Sequence, residues 1–80
     1  MPPGWGDVNV GGTELRLRVN GRERRARDGM SVGDLLEELG LVPALIVVER
    51  NREILDRGEY DRTALKNGDE LELVHFVGGG

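Results

Sequence analysis

The chain has 80 residues, a formal net charge of −4, 32% charged residues and no cysteine. That length makes one small domain, which buries roughly 60% of its unfolded surface and leaves little room for an internal catalytic cavity. Without cysteine there is no disulfide, thiolate metal site or nucleophilic thiol, so any sulfur chemistry must draw its sulfur from outside.

No apolar segment resembles a signal peptide or a membrane span, which makes the cytoplasm the expected location. The charge is unevenly spread. Residues 1–28 set six arginines against four acids, and residues 29–80 set five basic residues against eleven acids. An acidic body argues against nucleic acid as the main partner and fits docking onto a basic protein surface.

Residues 1–13 hold two prolines, four glycines and the sole tryptophan, Trp5, with no periodicity. They read as a flexible leader outside the fold, ahead of a domain over 14–76 and a tail over 77–80. The run Glu14-Leu15-Arg16-Leu17-Arg18-Val19 alternates with the period of a half-buried strand. It predicts Leu15, Leu17 and Val19 toward the core and Arg16 and Arg18 outward. Asn20-Gly21 is a strong hairpin signal, because both residues tolerate positive φ. The return strand, Arg22–Arg27, has only Ala26 as an apolar residue, which predicts an edge strand defended by charge.

Ser31 and Asp34 have the spacing of a helix-capping box. Val32, Leu35, Leu36 and Leu39 then form one apolar stripe, and Gly40 and Pro43 stop the helix. Leu45–Glu49 is a nearly continuous apolar, β-branched run, expected as a central strand covered on both faces over part of its length. Asn51-Arg52 is a turn and Glu53–Leu55 a short return strand. Within 56–69, Thr63–Leu65 is expected as a single helical turn with Leu65 plugging the core, and Asn67-Gly68-Asp69 as a tight turn. The last strand, Glu70–Phe76, alternates again: Leu71 and Leu73 inward, with Glu70, Glu72, Val74 and Phe76 outward. Two placements stay open for Phe76, wrapped onto the core rim or standing as an exposed contact.

One helix laid across a mixed four- to five-stranded sheet buries both apolar faces in two layers. With the last strand between the two halves and parallel to the first, this is an α+β fold of β-grasp type. His75 is the only histidine, and one imidazole without cysteine makes no zinc site. The arginines at 16–27 lack the interleaved aromatics that stack on bases, so a solvated strand face is expected there. Taken alone, the closing Gly78-Gly79-Gly80 offers only an unhindered backbone and a free α-carboxylate.

The chain resembles the ubiquitin-like sulfur carriers, and within them the ThiS family of thiamin biosynthesis. The resemblance rests on Val19-Asn20-Gly21, Ser31-Val32-Gly33-Asp34-Leu35-Leu36, Leu39-Gly40-Leu41, Val48-Glu49-Arg50-Asn51, Glu53-Ile54 and Asn67-Gly68-Asp69-Glu70-Leu71-Glu72. Most specific is the end, Val74-His75-Phe76-Val77-Gly78-Gly79-Gly80. The leader and the arginine-rich second strand depart from the family pattern.

The resemblance implies a carried substrate, not an enzyme. An E1-like, ThiF-like adenylyltransferase would use ATP and magnesium to adenylate the Gly80 carboxylate. Sulfur from a cysteine desulfurase, through a persulfide, would turn it into a thiocarboxylate. A ThiG-like thiazole synthase would take that sulfur. Val74, Phe76, Val77, Gly78 and Gly79 would contact these partners, with no bound cofactor, metal, membrane or nucleic acid. The same resemblance leaves open a molybdopterin synthase small subunit, a carrier for tRNA thiolation, or a ubiquitin-like protein modifier.

Overall fold

The computed structural model describes residues 14–76. The expected leader, Trp5 and the tail from Val77 to Gly80 lie outside the described residues. The elements run β1 (Glu14–Val19), β2 (Arg22–Arg27), α1 (Val32–Glu38), β3 (Ile46–Arg50), β4 (Glu53–Leu55) and β5 (Glu70–His75). The five strands form one sheet in the order β2-β1-β5-β3-β4. β5 is parallel to β1, and the other neighbours are antiparallel. This is the β-grasp arrangement, with α1 across one face and, among the described residues, no α-helix on the other, called the open face below.

Each element follows from its local chemistry. Asn20 and Gly21 both take positive φ (51° and 82°), which closes the first hairpin with the sheet's own twist. Ser31 caps α1 reciprocally: its Oγ accepts the Asp34 N–H and its own N–H donates to the Asp34 carboxylate, each at 3.0 Å. Val32, Leu35 and Leu36 are fully buried against Leu17, Ile46, Val48 and Leu71 of the sheet. Each such side chain contributes on the order of 1.5–3 kcal/mol on burial. Gly33 is also buried, and a Cβ there would collide with the Asp61 carboxylate, so glycine lets the 60–63 segment close over the start of the helix.

As expected, β5 lies between the two halves, and β3 is an interior strand between β5 and β4. The structure corrects three other expectations. The apolar run in β3 does not reflect two covered faces: Ile46 and Val48 are buried under the helix side, whereas Val47 is half-buried on the open face opposite Val74. Leu45 lies in a 3-10 turn at Pro43–Leu45 and is exposed. Finally, Thr63–Leu65 is not helical. The 3-10 turn falls earlier, at Arg57–Glu59, and Ala64 bridges to Ser31 as an isolated β-pair. Leu65 nevertheless plugs the core as expected, at 3% exposure.

Two buried polar groups organise the 56–69 segment. The Tyr60 hydroxyl donates to the Ile46 carbonyl at 2.7 Å, which fixes the segment beneath β3. Asp69 accepts from the Lys66 N–H at 2.9 Å, Arg50 Nε at 3.0 Å and Asn51 Nδ2 at 3.1 Å. Burial alone would raise its pKa. The Lys66, Asn51 and Arg50 donors outweigh that and hold the carboxyl below its usual 3.8. A depressed pKa stabilises the fold above the unfolded-state value, and the contribution is lost as pH falls from 3.8 through the folded-state value. Asp69→Asn is expected to cost about 1.5–3 kcal/mol at neutral pH, the range for hydrogen bonds to a charged group. Urea melts across pH should show that penalty shrinking below pH 3.8.

Candidate functional site

The C-terminal strand is held from both sides. On one side β1 pairs with it only at Arg18 and Val19, opposite Glu70 and Leu71. Asn20 extends that pairing with its own atoms. Its main-chain N–H donates to the Leu71 carbonyl at 2.8 Å, its Oδ1 accepts the Leu73 N–H at 2.7 Å, and its Nδ2 reaches the Leu73 carbonyl at 3.3 Å. On the other side Asn51 donates its main-chain N–H to the Glu70 carbonyl at 2.8 Å and accepts the Glu70 N–H through Oδ1 at 2.9 Å. Beyond that, β3 pairs with β5 from Arg50↔Leu71 to Ile46↔His75, and the Phe76 N–H donates to Leu45 at 2.6 Å.

Side-chain parity on this anchored strand is set by the core. Leu71 at 1% exposure and the half-buried Leu73 face α1. Val74 and Phe76 therefore stand on the open face, 55% and 53% exposed. For Phe76 the exposed placement holds and the core-rim placement does not. Val74 pairs directly with Val47 across β3, and Ile54 on β4, opposite Glu49, is 69% exposed on the same face. Around this apolar centre run Glu49, Glu70 and Glu72, with Arg18 across the sheet at Glu70. Val74, Val47, Glu49, Glu72 and Arg18 contribute to a groove of about 450 Å³ on that face.

Of the residues the sequence singled out, Val74 and Phe76 come together on this surface. Val77, Gly78, Gly79 and Gly80 lie outside the described residues. Sequence reasoning missed Val47 and Ile54 as members of the same patch. The signal was present in parity: Val47 alternates with the buried Ile46 and Val48, and Ile54 is the middle residue of a three-residue strand. It also missed the asparagine clamps, because Asn20 and Asn51 read only as turn formers. Among the described residues no group of three or more His, Cys, Asp or Glu could hold a metal ion, and no helix is long and apolar enough to cross a membrane.

The open face thus presents an apolar patch rimmed by carboxylates, at the end of the strand that leads into Val77–Gly80. Exposed aromatic and branched side chains at the centre of a polar rim are the usual anatomy of a binding surface.

Comparison with known proteins agrees with this geometry. A sequence model of the ThiS family matches residues 14–80. The sulfur carrier protein ThiS of Bacillus subtilis (strain 168) is 38% identical over 65 residues, covering 80% of this chain and 98% of that protein. A thiazole synthase of Magnetococcus marinus is 38% identical over 66 residues, 82% of this chain but 20% of that protein, so the chain spans about a fifth of that relative's length. The crystal structure of the thiamine biosynthesis protein ThiS from Geobacter metallireducens superposes with a TM-score of 0.67 at 38% identity, covering 82% of this chain and 100% of that one.

The patch residues make few demands on the core. Val74→Asp and Phe76→Asp are each expected to change unfolding free energy by no more than about 0.5 kcal/mol, as for surface substitutions away from packed features. Denaturant titration of both variants checks this.

Proposed function

The chain belongs to the ThiS family of sulfur carriers for thiamin biosynthesis, and from that premise we propose that it is a carried substrate whose reactive group is the Gly80 α-carboxylate. The observation that carries this reading is the family match running through Gly80, on a chain whose central strand leaves the sheet beside exposed Val74 and Phe76.

A carboxylate is a poor electrophile, because attack on its carbon would expel oxide. An E1-like adenylyltransferase with ATP and magnesium overcomes this. A Gly80 carboxylate oxygen attacks the α-phosphorus of ATP, pyrophosphate leaves, and the mixed anhydride carries AMP as its leaving group. Sulfide attacks the carbonyl carbon, AMP departs, and a thiocarboxylate remains; a persulfide donor loaded by a cysteine desulfurase serves the same role when a thiol then cleaves the acyl disulfide. A thiazole synthase takes the sulfur. The kinship with one-fifth of a thiazole synthase supports the pairing of these two activities. This chemistry belongs in the cytoplasm, where ATP and its partners are found.

This chain's part is presentation. Four residues after Phe76 span at most about 14 Å when extended, so a partner's reactive centre must lie that close to the Phe76 surface. The Val74, Phe76, Val47 and Ile54 patch would then be covered while the tail is engaged. Glycine at 78 and 79 lets the backbone enter a narrow channel, and a side chain at 80 would crowd the carbon under attack.

Mass spectrometry of the C-terminus, after incubation with an E1-like enzyme, ATP, magnesium and sulfide, tests the reading. The expected product has one oxygen replaced by sulfur. Gly79→Val and deletion of Gly80 should abolish it with the fold intact, and normal loading of either variant would refute the proposal. A lysine-linked adduct would mark a protein modifier instead. Phe76→Asp should keep its fold yet lower loading by about tenfold, the scale of one lost aromatic anchor worth more than 1 kcal/mol.

A further inference from the structure

Strand β2 has an open edge and an unusual charge. Its six residues carry four arginines against one glutamate. β1 pairs along one side in unbroken register from Arg22 to Arg27, and among the described residues no strand adjoins the other side. A row of N–H and C=O groups therefore faces outward over about 20 Å. No proline shortens that edge and no bulge interrupts it.

The arginines are poorly matched from within. Arg16–Glu23 at 3.7 Å and Arg25–Glu14 at 3.6 Å are exposed pairs of little strength. Arg18, Arg22, Arg24 and Arg27 form no ion pair among the described residues. Arg24 stands apart, because it lies opposite the buried Leu17 and so points to the helix side. It is half-buried, and its Nε is shielded from solvent with no hydrogen-bond partner among the described residues. A buried N–H without an acceptor is destabilising, a penalty that solvated edge arginines avoid.

We propose that the β2 edge is a second docking site, which takes an extended acidic segment of a partner protein as an added strand. Main-chain pairing would supply affinity along the free edge, and carboxylates opposite Arg22 and Arg24 would supply selectivity. Asp34, Glu37 and Glu38 line the neighbouring cleft with Arg27 and Met30, so repulsion confines the acidic segment to the strand edge. Nucleic acid is the rival polyanion, but β1 and β2 carry no aromatic side chain for stacking. β1 separates β2 from β5, a distance of two strand spacings or about 10 Å. A partner on this edge can therefore stay bound while another engages the Phe76 face, and the inference stands independently of what the tail does.

The test titrates the protein with three probes: a capped peptide of alternating glutamate and valine, its lysine–valine counterpart, and a short single-stranded DNA. Amide NMR locates binding and calorimetry measures it. The glutamate peptide is expected to shift the Arg22–Arg27 amides saturably and to slow exchange of alternate ones. Arg22→Gln/Arg24→Gln should weaken it by about tenfold, the loss of two charged cross-strand pairs. Should the double variant lose its fold, Arg22→Gln alone carries the test, with about a threefold loss expected. The proposal is overturned by no binding, by shifts confined to β3 and β5, or by equal affinity for the lysine peptide. It is equally overturned by unchanged affinity in the variants, or by DNA binding β2 at least as tightly. Concentration-dependent protection of β2 without peptide would assign the edge to a second copy and also overturn it.

Discussion

The insertion of β5 between β1 and β3 joins the two hairpins into one sheet. The last strand of the chain closes the sheet, so neither hairpin completes its hydrogen bonding or its core until the C-terminal segment arrives. Leu71 sits at the centre of that core, 1% exposed. The two hairpin turns grip β5 from opposite flanks, Asn20 at Leu73 and Asn51 at Glu70. Both asparagines have φ of 51°, which aims their amides across at the strand instead of along their own. The turn chemistry that ends each hairpin also secures the strand leading to the tail. Pairing on both sides fixes where the chain leaves the sheet after Phe76.

The two faces of the sheet divide the work. One face is committed to α1 through Leu17, Ile46, Val48 and Leu71, and its residues have no surface to offer. The open face can spend Val74, Phe76 and Ile54 on contacts because the fold makes no use of them. Their exposure has a cost in solubility, which the flanking Glu49, Glu70 and Glu72 offset by keeping the patch broken up with charge. The same division explains why Asp69, just ahead of β5, is buried and the β5 acids Glu70 and Glu72 are not. Asp69 is the residue where the incoming segment from 56–69 is tied to the β3–β4 turn, through Arg50 and Asn51.

Much of this was legible wherever one local rule decided the outcome. The capping box at Ser31, the stripe Val32-Leu35-Leu36, the edge character of β2 and the parity of β5 all stand as read, because burial enforces period and period is visible. The readings failed where tertiary partners overrode local preference. Thr63–Leu65 has a helix-compatible sequence, yet Ala64 is drawn into a bridge with Ser31, and the Val32 N–H takes the Thr63 carbonyl. Tyr60 gave no signal because its burial depends on one distant acceptor, the Ile46 carbonyl. The β-branched run in β3 suggested a strand covered on both sides. The second apolar face is in fact the exposed patch, and composition alone does not distinguish a covered face from an exposed one.

In the proposed function, sulfur passes through the terminal carbonyl of this chain. The most direct measurement loads the protein with isotopically labelled sulfur, removes the activating enzyme and ATP, and adds a thiazole synthase with its remaining substrates. Label is expected to leave Gly80 and appear in the thiazole in equal amount, with the unlabelled carboxylate restored. Label that stays on the protein while thiazole forms from another source would contradict it.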